Sequence, residues 1–513
     1  MRRRPTRRGW VLLAAGVVAL QLGIGLGSVD LVRLALVLVA LPAGALLALW
    51  VGDVVHDRRG LLVHREVRPD PVHVDERADV RVTVHAADPL GRARHAGPGG
   101  TRARLRAHPS RGGEAVQVLE PAIQGYAWGS PTAIPELLRR PSDGTPVAEA
   151  WYGAHASAPS RLVGPGQGPG TLDARIAADP VAALGDAVVS RFGGGLPFLL
   201  KVIAAERPLS LQVHPSIELA HDGYAREDAA GVPLDDPRRS YRDRNHKPEL
   251  VYALSPFEAL VGFRAPRRAA EILDGVDHPT ARQLHKVVTS DPTSAGMQEA
   301  FTLLVSQATR PGPEEVHDLA DAFRDRLRRG SPSPRTDRAV DLLERAYPGD
   351  PGAVTAVLLN PVSLRAGEAM FVPAGAVHAY LEGVAVEVMA NSDNVLRAGL
   401  TAKHVDVPEL LRIVECVAAP PIRIAPEHVY DATDVYYAPV DDFELSVTRL
   451  SATRCRLPGG GPRVVLCLDG HATLESARGG SLEVGPGQAA FVPASDGILS
   501  AAGEGRVVQA SVP

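Results

Sequence analysis

The chain has 513 residues, with 55 Lys and Arg against 59 Asp and Glu and a formal net charge of −4. That length exceeds one ordinary core and implies about two to four domains, and the near-balanced charge gives no reason to expect a nucleic-acid or other polyanionic partner. Glycine (50) and proline (44) favour a β-rich protein with many turns, and three cysteines (Cys416, Cys455, Cys467) without C-x-x-C spacing exclude a disulfide framework and a cysteine metal site, which fits a reducing compartment.

The N terminus differs from the rest. Arg2, Arg3, Arg4, Arg7 and Arg8 precede an apolar run, Trp10–Leu26; after a short polar break comes a second, Leu34–Val51, followed by Arg58 and Arg59. Runs of 17 and 18 residues are just long enough to cross a bilayer core. Arginines at both outer flanks predict a membrane hairpin over 1–60 with both ends in the cytoplasm. Residues 61–87 alternate as a short β-rich segment would, and 88–117, rich in Gly, Arg and Pro without periodicity, reads as a linker or junction. The first 90 or so residues resemble the start of a bacterial membrane-anchored family of unknown function.

From about Val118 short strand-like runs alternate with turns, as in Ile123–Trp128, Ala148–Gly153 and Leu196–Ile203. In the run 208–216, PLSLQVHPS, Ser210, Gln212 and His214 lie two apart, so in a strand they share one face. The run Asn245-His246-Lys247-Pro248-Glu249 follows. Residues 265–350 instead carry helical periodicity, clearest over Glu314–Arg329, where Val316, Leu319, Ala320, Phe323 and Leu327 fall on one face. These patterns predict a catalytic β part over 118–264 and 351–419, divided by the helical insert, and a further β part over 420–513.

The stretch Phe371–Lys403 ends one strand at Phe371-Val372-Pro373, turns at Ala374-Gly375 and enters another at Val384–Met389. It places His378 and Glu387 on adjacent strands of a small barrel, facing one cavity, with Arg397 and Lys403 at the mouth. Residues 484–494 (VGPGQAAFVPA) repeat 364–374 (LRAGEAMFVPA), and the same alignment sets Ile498 opposite His378. Two related barrels are expected, of which only the first keeps the histidine.

A mononuclear site needs three or four donors converging on a cavity. Gln212, His214, Glu249 and His378 supply two nitrogens and two oxygens, a set that suits zinc and also admits manganese, cobalt or iron. Lys247, beside a proposed ligand, and Glu387 are candidates for proton transfer. Arg397 and Lys403 supply fixed positive charge for an anionic group such as phosphate. Metal, base and oxyanion clamp together suit proton abstraction next to a carbonyl.

The segments YRDRNHKPE (241–249) and HAYLEGVAVEVMANSDNVLRAGLTAK (378–403) resemble the two signatures of the type I mannose-6-phosphate isomerase family. YAWGS (126–130), AEAWYGAH (148–155) and LPFLLKVIAAERPLSLQVHP (196–215) resemble its other landmarks, in the right order, over about 118–513. Ala402 and Ala156 stand where the family usually has proline, changes of turn stiffness rather than of a reacting group.

The resemblance implies two cupin-type jelly-roll barrels, one zinc per chain, and interconversion of mannose 6-phosphate and fructose 6-phosphate through a cis-enediol by a monomeric catalytic unit. It implies Gln212, His214, Glu249 and His378 as metal ligands and Arg397 as the catalytic arginine. Glu387 and Lys247 remain candidates for the base, with His246 behind them. Ser210 and Lys403 would hold the phosphate, and Trp128 and Lys201 would line the cleft. The expected location is cytoplasmic, anchored at the inner face of the plasma membrane if the hairpin inserts. A non-catalytic, membrane-tethered sugar-phosphate-binding cupin is the rival reading.

Overall fold

The computed structural model describes residues 61–65, 82–86, 116–163, 170–430 and 432–513. The expected membrane hairpin and most of the expected linker lie outside the described residues. Among those described, no helix is long and apolar enough to cross a membrane. Leu61–Arg65 and Val82–Ala86 form an antiparallel pair, in register from Leu61 opposite Ala86 to Arg65 opposite Val82.

The remainder is mainly β, with two eleven-stranded sheets and a group of helices. The first sheet centres on one long strand, His378–Ala390. Its start pairs with Phe257–Phe263 and, at His378, with Gln212 of the strand Leu211–Val213. Its end pairs with Glu249–Ala253 on one side and Phe198–Ala205 on the other. Residues from three distant stretches of sequence are therefore gathered along a single spine.

This arrangement corrects the expected two-strand placement of His378 and Glu387, which stand on the same strand. Nine residues apart, they would face opposite sides of a regular strand. The ladder with Phe257–Phe263 steps from Glu258 opposite Glu382 to Ala259 opposite Tyr380, so one extra residue is accommodated in between. That bulge reverses the alternation, and both side chains reach the same cavity. Gly383 makes the bend with φ of +119°, and a Cβ there would stand 2.4 Å from the Pro256 carbonyl oxygen.

The second sheet is built mostly from 427–511, but it also takes Gln117–Glu120, Arg161–Val163 and Gly170–Thr171. Leu119 lies opposite Ala489, and Val118 opposite Val163. Conversely, Ile422–Ile424 pairs with Ala369–Val372 of the first sheet. The expected division of 118–264 and 351–419 from 420–513 therefore does not separate the sheets, because edge strands are exchanged between the two parts. The repeat is visible in the backbone: Gly367 and Gly487 both adopt positive φ, +92° and +74°, in the turns that precede the two Phe-Val-Pro-Ala strands. Leu250, Phe371, Val386 and Val388 of the first sheet pack with Tyr436, Phe443, Leu445 and Val508 of the second in one buried core.

The largest group of helices runs from Pro266 to Thr355, close to the expected insert. Pro266, Pro279, Pro313 and Pro334 each open a helix, where the missing N–H costs nothing. On Pro313–Gly330 the expected face is buried at Val316, Leu319, Ala320 and Phe323, while Leu327 is only half-buried. Phe263 of the sheet meets Phe301 of the insert edge-on, with centroids 5.4 Å apart. Each fully buried large apolar side chain contributes roughly 1.5–3 kcal/mol. Polar ties join the insert to the strands as well: buried Arg264 donates to Thr336 Oγ1 at 3.2 Å, and Tyr347 Oη donates to the Pro208 carbonyl at 2.7 Å.

Candidate metal centre

The cavity is lined by Glu149, Lys201, Ser210, Gln212, Lys247, Glu249, His378, Tyr380 and Glu387, with Ile203 and Leu209 among its apolar walls. The pairing explains the convergence. Glu387 lies opposite Lys201 on one neighbour and Val251 on the other, which puts Glu249, two residues from Val251, on the same face. Gln212 lies between His378 and Arg397 across three adjacent strands.

His214, Glu249 and His378 are all buried, and one ligand atom from each lies within 4.8 Å of the others. Glu249 Oε1 is 3.2 Å from His214 Nε2, and its Oε2 is 3.4 Å from His378 Nε2. Both imidazoles are oriented from behind: His214 Nδ1 donates to the Asn394 carbonyl at 2.8 Å and His378 Nδ1 to the Ala376 carbonyl at 3.0 Å. A carbonyl only accepts, so in each neutral ring the hydrogen sits on Nδ1 and the Nε2 lone pair faces the cavity. Burial, with Lys247 nearby, pulls His214 down to about 4 and favours that neutral form. His214 Nε2 is buried and makes no hydrogen bond. Two lone pairs facing one carboxylate need a cation between them, and imidazole nitrogen with carboxylate oxygen suits zinc. Gln212 stands beside them with its amide nitrogen 3.5 Å from Ser210 Oγ.

A second set of contacts tunes the acids. Burial alone would raise Glu249, but Lys247, with Nζ 3.0 Å away, and His214 outweigh it and hold the carboxyl well below its usual range. Glu387 goes the other way: burial and the neighbouring Glu249 raise it to about 7, although Lys201 Nζ lies 3.2 Å from it. Burial of Lys201 is outweighed by Glu149 and Glu387, which raise its ammonium above the ordinary value. Tyr380 Oη lies 2.9 Å from Glu249 and 3.0 Å from Glu387. A hydroxyl has one proton to donate. With Glu249 ionised, the second contact is a hydrogen bond only when Glu387 carries a proton, which its raised pKa permits near neutrality.

The remaining sequence-predicted residues fall around this centre. Arg397 is half-buried, and both it and the exposed Lys403 are lowered, first by burial and then by nearby cations that include Arg242. Arg242 therefore adds a third positive charge to the rim. Trp128 packs against the apolar wall and stacks on Tyr126 at 5.7 Å, outside the cavity lining. His246 points away from the cavity, with Nε2 3.0 Å from Asp442 Oδ2.

The sequence reading passed over Glu149, Trp151, Tyr380, Asp243 and Asn394. Tyr380 had a readable signal, two residues from His378 and so on its face. Glu149 accepts from Trp151 Nε1 at 2.6 Å and lies 4.0 Å from Lys201 Nζ. Asp243 and Asn394 join the two signature runs. The Asp243 carboxylate accepts from the Asn245 and Asp393 backbone N–H groups and the Ser392 hydroxyl. Asn394 Oδ1 accepts from the Arg242 and Asp243 backbone, while its Nδ2 donates to the carbonyls of Asp243 and Asn245.

The donor set and its β-sheet setting define a mononuclear metalloprotein with a cationic rim. A family model, phosphomannose isomerase type I, catalytic domain, matches residues 116–266. The chain is 38% identical to the mannose-6-phosphate isomerase of Escherichia coli strain K12 over 399 residues, covering 77% of this chain and 99% of that protein. It is 31% identical to the Bos taurus enzyme of that name over 425 residues, covering 77% and 95%. A crystal structure of mannose 6-phosphate isomerase from Salmonella typhimurium, bound to its substrate fructose 6-phosphate and zinc, superposes with a TM-score of 0.70 at 37% identity, covering 78% of this chain and 99% of that one. The chain belongs to the type I phosphomannose isomerase family.

The carbonyl that aims His214 is the main-chain one of Asn394, which the Asn394 side chain holds in place through its bonds to Arg242, Asp243 and Asn245. Asn394→Ala keeps the carbonyl but removes that support, and should lower metal affinity by about tenfold, the low end of the usual outer-shell effect. Competition with a chromophoric chelator measures this, and an unchanged affinity would assign Asn394 to loop stability alone.

Proposed function

We infer that this chain is a zinc-dependent isomerase that interconverts mannose 6-phosphate and fructose 6-phosphate. The observation that carries the reading is the buried His214–Glu249–His378 cluster, with both Nε2 lone pairs aimed at one carboxylate. It occurs in a chain that aligns with nearly the whole of an isomerase solved with zinc and fructose 6-phosphate. His214, Glu249, His378 and Gln212 would hold the metal. Zinc, when bound, supplies a Lewis acid that polarises the sugar oxygens at C1 and C2.

The protein groups would do the rest. Glu387, the cavity acid poised near neutrality, takes a proton from one carbon and returns it to the other through the cis-enediol. Tyr380 and Lys201 hold that carboxyl in place. Lys247 is paired with Glu249, which makes it a less direct choice of base. Arg397 stabilises the developing oxyanion, and Lys403, Ser210 and Arg242 favour the phosphate, whose binding fixes orientation. Arg397→Ala should lower kcat by about 10²–10³-fold, the usual effect of removing one electrostatic donor, with zinc per chain unchanged. A matching loss of zinc would instead place Arg397 in metal retention.

We read the two sheets as two cupin-type jelly rolls, of which only the first carries the site. In the second, the counterpart of His378 is Ile498, an exposed residue. The apolar runs near the N terminus support tethering of this cytoplasmic unit at the inner face of a membrane. A coupled assay for fructose 6-phosphate formed from mannose 6-phosphate by the purified full-length chain tests the function. Binding without turnover would favour the non-catalytic sugar-phosphate sensor.

A further inference from the structure

The second sheet has lost the ligand-type histidine, yet it reaches the first signature run. Its hairpin between Thr433–Tyr437 and Glu444–Leu450 carries Asp441 and Asp442. Phe443 fixes the hairpin, fully buried in the core between the sheets, while Asp441 makes a solvent-exposed pair with Arg191 of the helix Asp186–Phe192. Between the two, Asp442 is buried, with its side chain only 7% exposed and Oδ2 3.0 Å from His246 Nε2. Among the described residues His246 is its only side-chain hydrogen-bond partner. A buried carboxylate without a partner is costly, so this contact is the one that makes the buried position of Asp442 tolerable.

The contact fixes the ring as well. A carboxylate only accepts, so Nε2 carries the hydrogen, and in the neutral ring the Nδ1 lone pair is left free. His246 begins the short path to the metal centre. Its backbone N–H donates to Asn245 Oδ1 at 3.0 Å, and the next residue, Lys247, places Nζ 3.0 Å from Glu249 Oε1. Two tyrosines tie the sheets together around this point. Tyr436 donates to the Gly367 carbonyl at 3.1 Å, and Tyr152 donates to the Gly487 carbonyl at 2.8 Å. Each sheet thus holds the repeat turn of the other.

We propose that Asp442 is a positioning residue for the isomerase site, acting through His246 to hold the run Asn245–Glu249 in its working geometry. The second sheet is thereby a working part of the catalytic unit. This rests on the reading that the run Asn245–Glu249 belongs to the isomerase site. The test is a double-mutant cycle on the full-length zinc enzyme, with Asp442→Asn made alone and in a His246→Gln background, and Asp441→Asn as the solvent-exposed neighbour on the same hairpin.

Asp442→Asn should lower kcat by about tenfold, the loss expected for one charge-assisted hydrogen bond. KM should stay within about twofold and zinc per chain should not change. In the His246→Gln background the same change should have no further effect, and Asp441→Asn alone should leave kcat as it is. An equal fall in both backgrounds, an equal fall with Asp441→Asn, or an unchanged kcat with Asp442→Asn would each overturn the proposal. An unmutated chain that turns over no mannose 6-phosphate would instead overturn the isomerase reading beneath it.

Discussion

His378→Ala is expected to strip the chain of zinc and of isomerase activity together. His378 is one of two imidazoles whose Nε2 atoms face Glu249, and its Nδ1 is committed to the Ala376 carbonyl. Alanine supplies no donor, and the remaining set of His214, Glu249 and Gln212 is one ligand short. Metal polarisation of a carbonyl is worth several kcal/mol of transition-state stabilisation. At about 1.36 kcal/mol per tenfold, turnover should fall at least about a thousandfold. Metal analysis after gel filtration should show well under one zinc per chain. Full activity in this variant would remove His378 from the site.

The second large effect is expected at a residue that does not touch the metal. Glu387→Gln keeps the shape of the side chain and one acceptor for Lys201, but it cannot accept and return a proton. General acid–base groups contribute roughly 10²–10⁴-fold, so kcat should drop within that range while zinc stays near one per chain. The same variant should lose exchange of the substrate C2 hydrogen with solvent, which separates failed proton transfer from failed binding. A variant that retains kcat within about threefold would move the base to Lys247, the other candidate that lines the cavity.

Much of this site was legible in the sequence because its chemistry lies in short runs. The spacing of Ser210, Gln212 and His214 by two, and the apolar face of Glu314–Arg329, are local signals that folding preserves. What local spacing could not give was that His378 and Glu387 share one strand and still face one cavity. An odd separation from His378 argues against a shared cavity until the bulge before Gly383 is known, and a bulge is set by the partner strand Phe257–Phe263 rather than by the strand itself. The sheet boundaries failed for a similar reason. Gln117–Glu120 finds its partner about 370 residues along the chain, at Ala489–Val492. The turn of His246 toward Asp442 is also a long-range contact, 196 residues apart, with no trace in either local pattern.

The networks around the ligands were the other omission. Asp243 and Asn394 read as polar loop residues, the usual meaning of such clusters between strands. Their role is visible only when 241–249 and 391–394 lie side by side, where every backbone group of the junction needs a partner. The cost of leaving those groups unpaired explains why Asp243 and Asn394 commit their side chains to the loop backbone beside the metal centre.

The central claim is that one zinc, held by His214, Glu249, His378 and Gln212, makes this chain a mannose-6-phosphate isomerase. It is tested most directly by stripping the purified chain with a chelator and titrating zinc back while following fructose 6-phosphate formation. The stripped protein should show no turnover, and activity should return linearly and saturate at one zinc per chain. Undiminished turnover in the stripped protein would contradict it.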